Sequence, residues 1–165
     1  MAILLDENTS VLIQGITGRE GRARTQFMMA YGTRVVAGVT PGRGGREIHG
    51  LPVYDTVQEA WDRHGRIDAT VTFVPGRVLK DAVLEAIAAG IKNVFMPVER
   101  VPLHDCLEMI ACAREAGTRL VGPGSFGVIS PGKSVAGWIG GTEEFAHEMF
   151  PPGPVSYTHL TLPTN

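Results

Sequence analysis

Three features of the sequence predict an α/β domain built on a doubly wound parallel sheet. Short runs rich in Val and Ile alternate with longer stretches of helical spacing, and most of the short runs end in Gly or Pro. The run V-L-I-Q-G-I-T-G-R-E-G at 11–21 carries a strand straight into a glycine-rich turn that opens a helix. The 165 residues, 44% of them hydrophobic, suffice for one packed domain and are short for two. About five parallel strands are expected, with helices on both faces.

Ala2 to Leu5 is a short apolar run, and the polar Asp6 to Ser10 leads into the first strand, Val11 to Ile13. Such a continuous aliphatic run suits a strand buried on both faces. Arg19 to Tyr31 contains no Pro and spaces Phe27, Met28 and Met29 as a helix packed on a sheet would, with Gly32 to stop it. Arg34 to Val39 is the second strand, followed by T-P-G-R-G-G from Thr40 to Gly45. Gly50 to Tyr54 is a short extended piece. Thr56 is a good N-cap for a helix over Val57 to His64, with Glu59 at the capping-box position. Asp68 to Val74 is the third strand, closed by Pro75 and Gly76. Val78 to Ala89 is a helix with Leu79, Val83 and Ile87 on its apolar face and Gly90 at its end. Lys92 to Met96 is the fourth strand, ended by Pro97. Leu103 to Ala116 is a helix ended by Gly117, and Arg119 to Val121 is a fifth strand running into G-P-G-S-F-G. From Ser130 the alternation stops, and F-P-P-G-P at 150–154 has the composition of a linker. The expected organisation is a domain over 1–130, a linker over 131–155 and a non-native tail over 156–165.

The net charge is −2 with both signs interspersed, which argues against a nucleic-acid surface or an anionic membrane partner. No leader-like segment is evident and no apolar run approaches the roughly 20 residues that cross a bilayer, so a cytoplasmic location is expected. Cys106 and Cys112 stand six apart in a helical stretch and turn to different faces, as ordinary thiols rather than a metal pair.

The chemistry concentrates at the carboxyl ends of the strands. Glycines at 15, 18 and 21 let backbone approach a ligand while the first amides of the following helix point outward as donors, an arrangement suited to phosphate. The spacing G-x-x-G-x-x-G puts Thr17 where a dinucleotide fingerprint has its second glycine; a tight turn with no ligand is the alternative. Arg43 stands where a dinucleotide enzyme places an acid. It suits a ligand phosphate and disfavours NAD, the alternative being a solvated loop arginine. The loops Thr17 to Gly21, Thr40 to Gly45, Pro75 to Arg77, Met96 to Arg100 and Gly122 to Gly127 should share one rim.

These residues resemble one family closely: the α subunit of succinate-CoA ligase and its relatives, including malate-CoA ligase and the corresponding region of ATP-citrate lyase. The pieces that carry the resemblance are I-L-L-D-E-N-T, V-L-I-Q-G-I-T-G-R-E-G, A-Y-G-T-R-V-V-A-G-V-T-P-G-R-G-G, G-L-P-V-Y-D-T-V-Q-E-A, L-E-A-I-A-A-G-I-K, A-G-T-R-L-V-G-P and G-V-I-S-P-G-K. The resemblance covers Met1 to about Val155. The resemblance implies a Rossmann-like N-terminal domain that binds coenzyme A. It implies that Thr17, Gly18, Arg19 and Glu20 wrap a phosphate of CoA, that Arg43 meets the nucleotide end, and that Met96, Pro97 and Val98 line the CoA site.

By the same resemblance the full enzyme joins a small dicarboxylic acid, foremost succinate, to CoA. ATP or GTP with Mg2+ on a β subunit would drive the reaction through a phosphohistidine in a second domain. None of His49, His64, His104, His147 or His159 has the Gly-His-Ala-Gly-like setting of that histidine, so the chain is expected to be an inactive CoA-binding fragment, with no catalytic residue of its own. Two stretches depart from the family: M-P-V-E-R replaces I-T-E-G-like wording at 96–100, where Glu99 matches, and G-P-G-S-F-G replaces G-P-N-C-P-G at 122–127. A stand-alone CoA-binding module is the first rival reading. An NAD-dependent oxidoreductase is the second, opposed by the glycine spacing and by Arg43.

Overall fold

The computed structural model describes residues 4–153. The expected tail at 156–165, with His159, and the first residues of the N-terminal apolar run lie outside the described residues. The chain forms β1 (Val11–Gln14), α1 (Arg19–Tyr31), β2 (Val35–Val39), β3 (Glu47–Ile48), β4 (Leu51–Tyr54), α2 (Val57–His64), β5 (Ala69–Thr72), α3 (Leu79–Ala88), β6 (Asn93–Phe95), α4 (Leu103–Ala116), β7 (Arg119–Val121), β8 (Gly127–Ser130), β9 (Ser134–Gly137) and α5 (Glu143–Met149).

Seven strands make one sheet in the order β3-β4-β2-β1-β5-β6-β7. Six are parallel, and only the short edge strand β3 runs antiparallel, to β4. The expected doubly wound α/β sheet is present, with one parallel strand more than expected. The extra strand is β4, which pairs with β2 through Gly38–Val53 and Val39–Tyr54. Chain order runs outward from β1 to β2 and β4, then crosses to β5, β6 and β7 on the other side. The direction of winding therefore reverses between β1 and β5, where open α/β sheets leave a crevice at their carboxyl edge.

Because strand side chains alternate, β1 feeds two cores. Val11 and Ile13 join Phe27, Met28 and Tyr31 of α1, while Leu12 joins Val57 and Ala60 of α2, Leu79 and Val83 of α3, and Met109 of α4. All three β1 residues are fully buried. The buried Gln14 side chain is satisfied on both atoms: it donates to the Ala82 carbonyl at 2.8 Å and accepts from the Thr70 hydroxyl at 3.2 Å. Thr56 caps α2 by accepting from the Glu59 amide at 3.1 Å, and the Glu59 carboxylate accepts from the amide of Asp55, one residue before the cap, at 3.1 Å. Lys80 of α3 bridges Asp105 (3.1 Å) and Glu108 (2.9 Å) of α4.

The stretch 131–155, expected as a linker, carries structure through its described part. The hairpin β8–β9 and helix α5 cover the α1 face of the sheet, where Val135, Ala136 and Ala146 are fully buried. Thr33 holds the hairpin by donating to the Val135 carbonyl at 2.7 Å and accepting from its amide at 3.0 Å, and the Tyr31 hydroxyl accepts from the Gly132 amide at 3.1 Å. The physical reason is the topology. A single helix, α1, lies on this face against three on the other, so its apolar surface needs a second cover. Burial of Val135 alone contributes about 1.5–3 kcal/mol. Among the described residues, no helix is long and apolar enough to cross a membrane.

Candidate functional site

The site grows from the end of β1. Gly15 turns the chain with φ 81°, and its amide donates to the Val39 carbonyl at 2.7 Å, tying the turn to β2. Gly18 is the N-cap of α1, in extended conformation, and no side chain caps it. The first bond of the helix runs from the Arg22 amide to the Gly18 carbonyl at 2.9 Å, so the amides of Arg19, Glu20 and Gly21 precede the ladder and are available to an anion. The glycines have separate tasks. A Cβ on Gly21 would overlap the Gly15 carbonyl and one on Gly15 the Phe73 carbonyl, whereas a Cβ on Gly18 would meet only the Gly15 oxygen, at 3.3 Å.

A cleft of about 550 Å³ opens at the β1/β5 reversal. Its walls are Gly18, Arg19 and Glu20 at the start of α1, Phe73 to Pro75 after β5, Pro97 to Glu99 after β6, and Gly124 to Phe126 after β7, with Trp138 closing it from the end of the hairpin. Four of the five loops expected on one rim thus line one cavity. The size falls within the range of small-molecule and cofactor sites.

Of the residues singled out in the sequence, Gly18, Arg19, Glu20, Pro97 and Val98 line the cleft. Thr17 sits just behind, its hydroxyl donating to that of Thr40 at 3.2 Å and so joining the first loop to the second. Arg43 is on the same rim beyond β2, exposed and outside the cleft lining. Its loop is folded around Asp55, whose Oδ1 accepts from the amides of Arg43 (2.8 Å) and Gly44 (2.9 Å). The amide of Gly44, and with it those of Arg43 and Gly42, holds the Asp55 carboxyl below its ordinary range. Met96 has its side chain fully buried among core residues and is not part of the cleft lining. Its carbonyl accepts from the Ser125 amide at 3.3 Å, while the Val98 carbonyl accepts from the Gly124 amide at 2.8 Å, so the loops after β6 and β7 are joined into one wall.

Phe73, Val74 and Trp138 also line the cleft and lie outside the loops that the sequence places on the rim, whereas Phe126 belongs to the loop 122–127 expected there. Phe126 remains 72% exposed. Arg24 lies over the Trp138 ring at 5.1 Å from its centre and donates to the Gly141 carbonyl at 3.4 Å, so α1 positions the indole. Glu20 is flanked by Arg19 at 3.5 Å and Arg24 at 3.7 Å, which offsets its charge beside the amide-rich helix start. Ser125 is a loop hydroxyl, accepting from the Gly127 amide at 3.0 Å.

None of the described histidines lines the cleft. The His49 ring contacts the Arg22 carbonyl at 3.0 Å, the His64 ring the Tyr54 hydroxyl at 3.0 Å, and His147 stacks on Tyr31 at 4.4 Å. Among the described residues, no group of three or more His, Cys, Asp or Glu is placed to hold a metal ion.

Comparison with known proteins fits this geometry. Residues 6–98 match the family model described as CoA binding domain. The chain is 51% identical over 137 residues to a succinate-CoA ligase [ADP-forming] subunit alpha 2 of Archaeoglobus fulgidus, covering 83% of this chain and 47% of the relative. It is 43% identical over 145 residues to a malate-CoA ligase subunit alpha of Methylorubrum extorquens, covering 86% and 49%. The fold superposes with a TM-score of 0.75 on ATP citrate lyase from Methanothrix soehngenii, solved in complex with citrate and coenzyme A, at 25% identity over 87% of this chain and 25% of that one. The chain spans about half the length of the curated relatives it matches.

Proposed function

Because this chain belongs to the CoA-binding domain family, we propose that it holds coenzyme A along the carboxyl rim of its sheet, with the nucleotide end over β2 and the thiol end over β6 and β7. The observation that carries this reading is the ordering of chemistry along the rim. The exposed cation Arg43 follows β2, the uncapped start of α1 follows β1, and the walls become apolar after β5, β6 and β7. CoA has the same polarity: a phosphorylated nucleotide, then a diphosphate, then a neutral pantetheine arm ending in a thiol. Phosphates are best held by charge-assisted donors and helix-start amides, and the pantetheine arm by apolar walls.

In this arrangement the amides of Arg19 and Glu20, with Gly18 and Thr17 shaping the turn, hold a phosphate group of the diphosphate, and Arg43 meets the 3′-phosphate. The backbone of Met96, together with Pro97 and Val98, guides the pantetheine arm. The thiol arrives beside Gly124, Ser125 and Phe126. The chain is the CoA-binding part of the α subunit of a nucleotide-dependent acid-CoA ligase. ATP or GTP, Mg2+ and a β subunit supply the activated acid, and the phosphohistidine belongs to a further domain of the α subunit. The domain runs past residue 130 through the hairpin and α5 before any linker to that further domain, and the protein acts in the cytoplasm.

Arg43→Ala tests the polarity. The variant is expected to cost about 1–3 kcal/mol in CoA affinity and to leave the affinity for 3′-dephospho-CoA near that of the unaltered chain. An equal loss for both ligands would contradict the placement of the nucleotide end.

A further inference from the structure

We infer that Asp55 is a positioning residue for Arg43: its carboxylate, seated against Gly44, fixes the loop after β2 so that the Arg43 guanidinium is set for the 3′-phosphate, and the site thereby selects CoA over 3′-dephospho-CoA. The inference rests on the placement of the nucleotide end over β2 proposed above. The loop from Thr40 to Gly45 contains three glycines, at 42, 44 and 45, and such a segment is costly to order. Backbone bonds tie its two ends to β4. The Thr40 amide donates to the Tyr54 carbonyl at 2.9 Å and the Gly45 amide to the Val53 carbonyl at 3.0 Å. At the tip, where Arg43 stands, the Arg43 amide donates to the Thr40 carbonyl at 3.0 Å. Asp55 anchors the same tip from outside the loop, its Oδ1 accepting from the amides of Arg43 at 2.8 Å and Gly44 at 2.9 Å.

Gly44 shows that this contact is built into the loop. Gly42 and Gly45 have left-handed φ values of 72° and 77°, with open space where a Cβ would stand. Gly44 has no left-handed φ, and a Cβ there would come within 2.6 Å of the Asp55 Oδ2 and 2.9 Å of its Cγ. Glycine at 44 therefore serves to leave room for the carboxylate rather than to permit a backbone conformation. Hydrogen bonds to an ionised acceptor are roughly twice as strong as neutral ones, and the Gly44 amide foremost holds this carboxyl below its ordinary range. A long arginine side chain on an unanchored glycine loop would lose much freedom on meeting a phosphate. Fixing the main chain beneath it removes part of that cost before the ligand arrives. A ligand without the 3′-phosphate gains nothing from this order, which is why the effect is one of selectivity.

The test is calorimetric titration of the 165-residue chain and its variants with CoA and 3′-dephospho-CoA. Asp55→Ala is expected to weaken CoA binding roughly tenfold and 3′-dephospho-CoA binding less than roughly twofold. Gly44→Ala, which displaces the carboxylate from the other side of the contact, should reproduce that pattern. Asp55→Asn keeps an acceptor oxygen for the two amides and should stay within about threefold of the parent chain. In a chain already carrying Arg43→Ala, adding Asp55→Ala should change neither affinity further. Equal losses for the two ligands, or an undiminished effect of Asp55→Ala when Arg43 is already replaced, would overturn the inference, since the contact would then serve the fold and not the arginine. Lost selectivity in Arg43→Ala with full selectivity in Asp55→Ala would overturn it too, while leaving the placement of the 3′-phosphate intact. Full selectivity in Arg43→Ala would overturn that placement itself.

Discussion

Gly18→Val is expected to lower CoA affinity by on the order of a hundredfold or more, the loss of about two charge-assisted hydrogen bonds, while the chain stays folded. Gly18 lies at the start of α1 with φ −71° and ψ 163°, a conformation open to any L-residue. A Cβ there meets only the Gly15 carbonyl, at 3.3 Å. The added branches project into the cleft in front of the first helical amides, where the phosphate belongs. Valine is a poor N-cap, so a stability loss of about 1 kcal/mol accompanies the change, or about 3 °C in melting temperature for a domain of this size. Titration and thermal unfolding of the same sample separate the two effects. Unchanged CoA affinity would mean that the turn is structural and that the ligand lies elsewhere.

Gly15→Ala should act in the opposite sense, on the fold before the ligand. Gly15 has φ 81°, which costs an L-residue about 1–2 kcal/mol. Its added Cβ would also press on the Phe73 carbonyl, backbone of the neighbouring strand end rather than a yielding side chain. Together the strain and overpacking should destabilise the chain by on the order of 3 kcal/mol, lowering the melting temperature by about 10 °C. The measurement is thermal or urea unfolding without ligand. A variant as stable as the parent chain would show that β1 and β5 do not approach as closely as the sheet register requires.

The contrast between these two glycines shows what could be read from sequence. The spacing of Gly15, Gly18 and Gly21 marks a strand, a turn and a helix start because each element leaves a chemical signature: β-branched or aliphatic residues, absent Cβ atoms, then helical periodicity. Sequence does not reveal which glycine faces a carbonyl and which faces the ligand, since that depends on the neighbouring strand β5. Leu51–Tyr54 read as merely extended because Pro52 and a length of four residues weaken the strand signal; pairing with β2 on one side and with short β3 on the other makes it a strand.

The hairpin at Gly127–Gly137 was hidden for another reason. Its fully buried positions, Ser134, Val135 and Ala136, are mostly small, with no polar and apolar alternation, and its anchor, Thr33, is about a hundred residues earlier. From sequence Trp138 falls in the linker stretch, although an aromatic residue set among glycines is a signal that marks it. Met96 shows the reverse limit. Its position on the rim follows from strand order, but its side chain is buried in the core, so it does not line the cleft.

The central claim, that the rim cleft binds CoA, is tested most directly by calorimetric titration of this chain with CoA, with NAD as a parallel control. Saturable binding of CoA, one per chain, with no heat from NAD is the predicted result. Saturable NAD binding, or no binding of CoA, would contradict it.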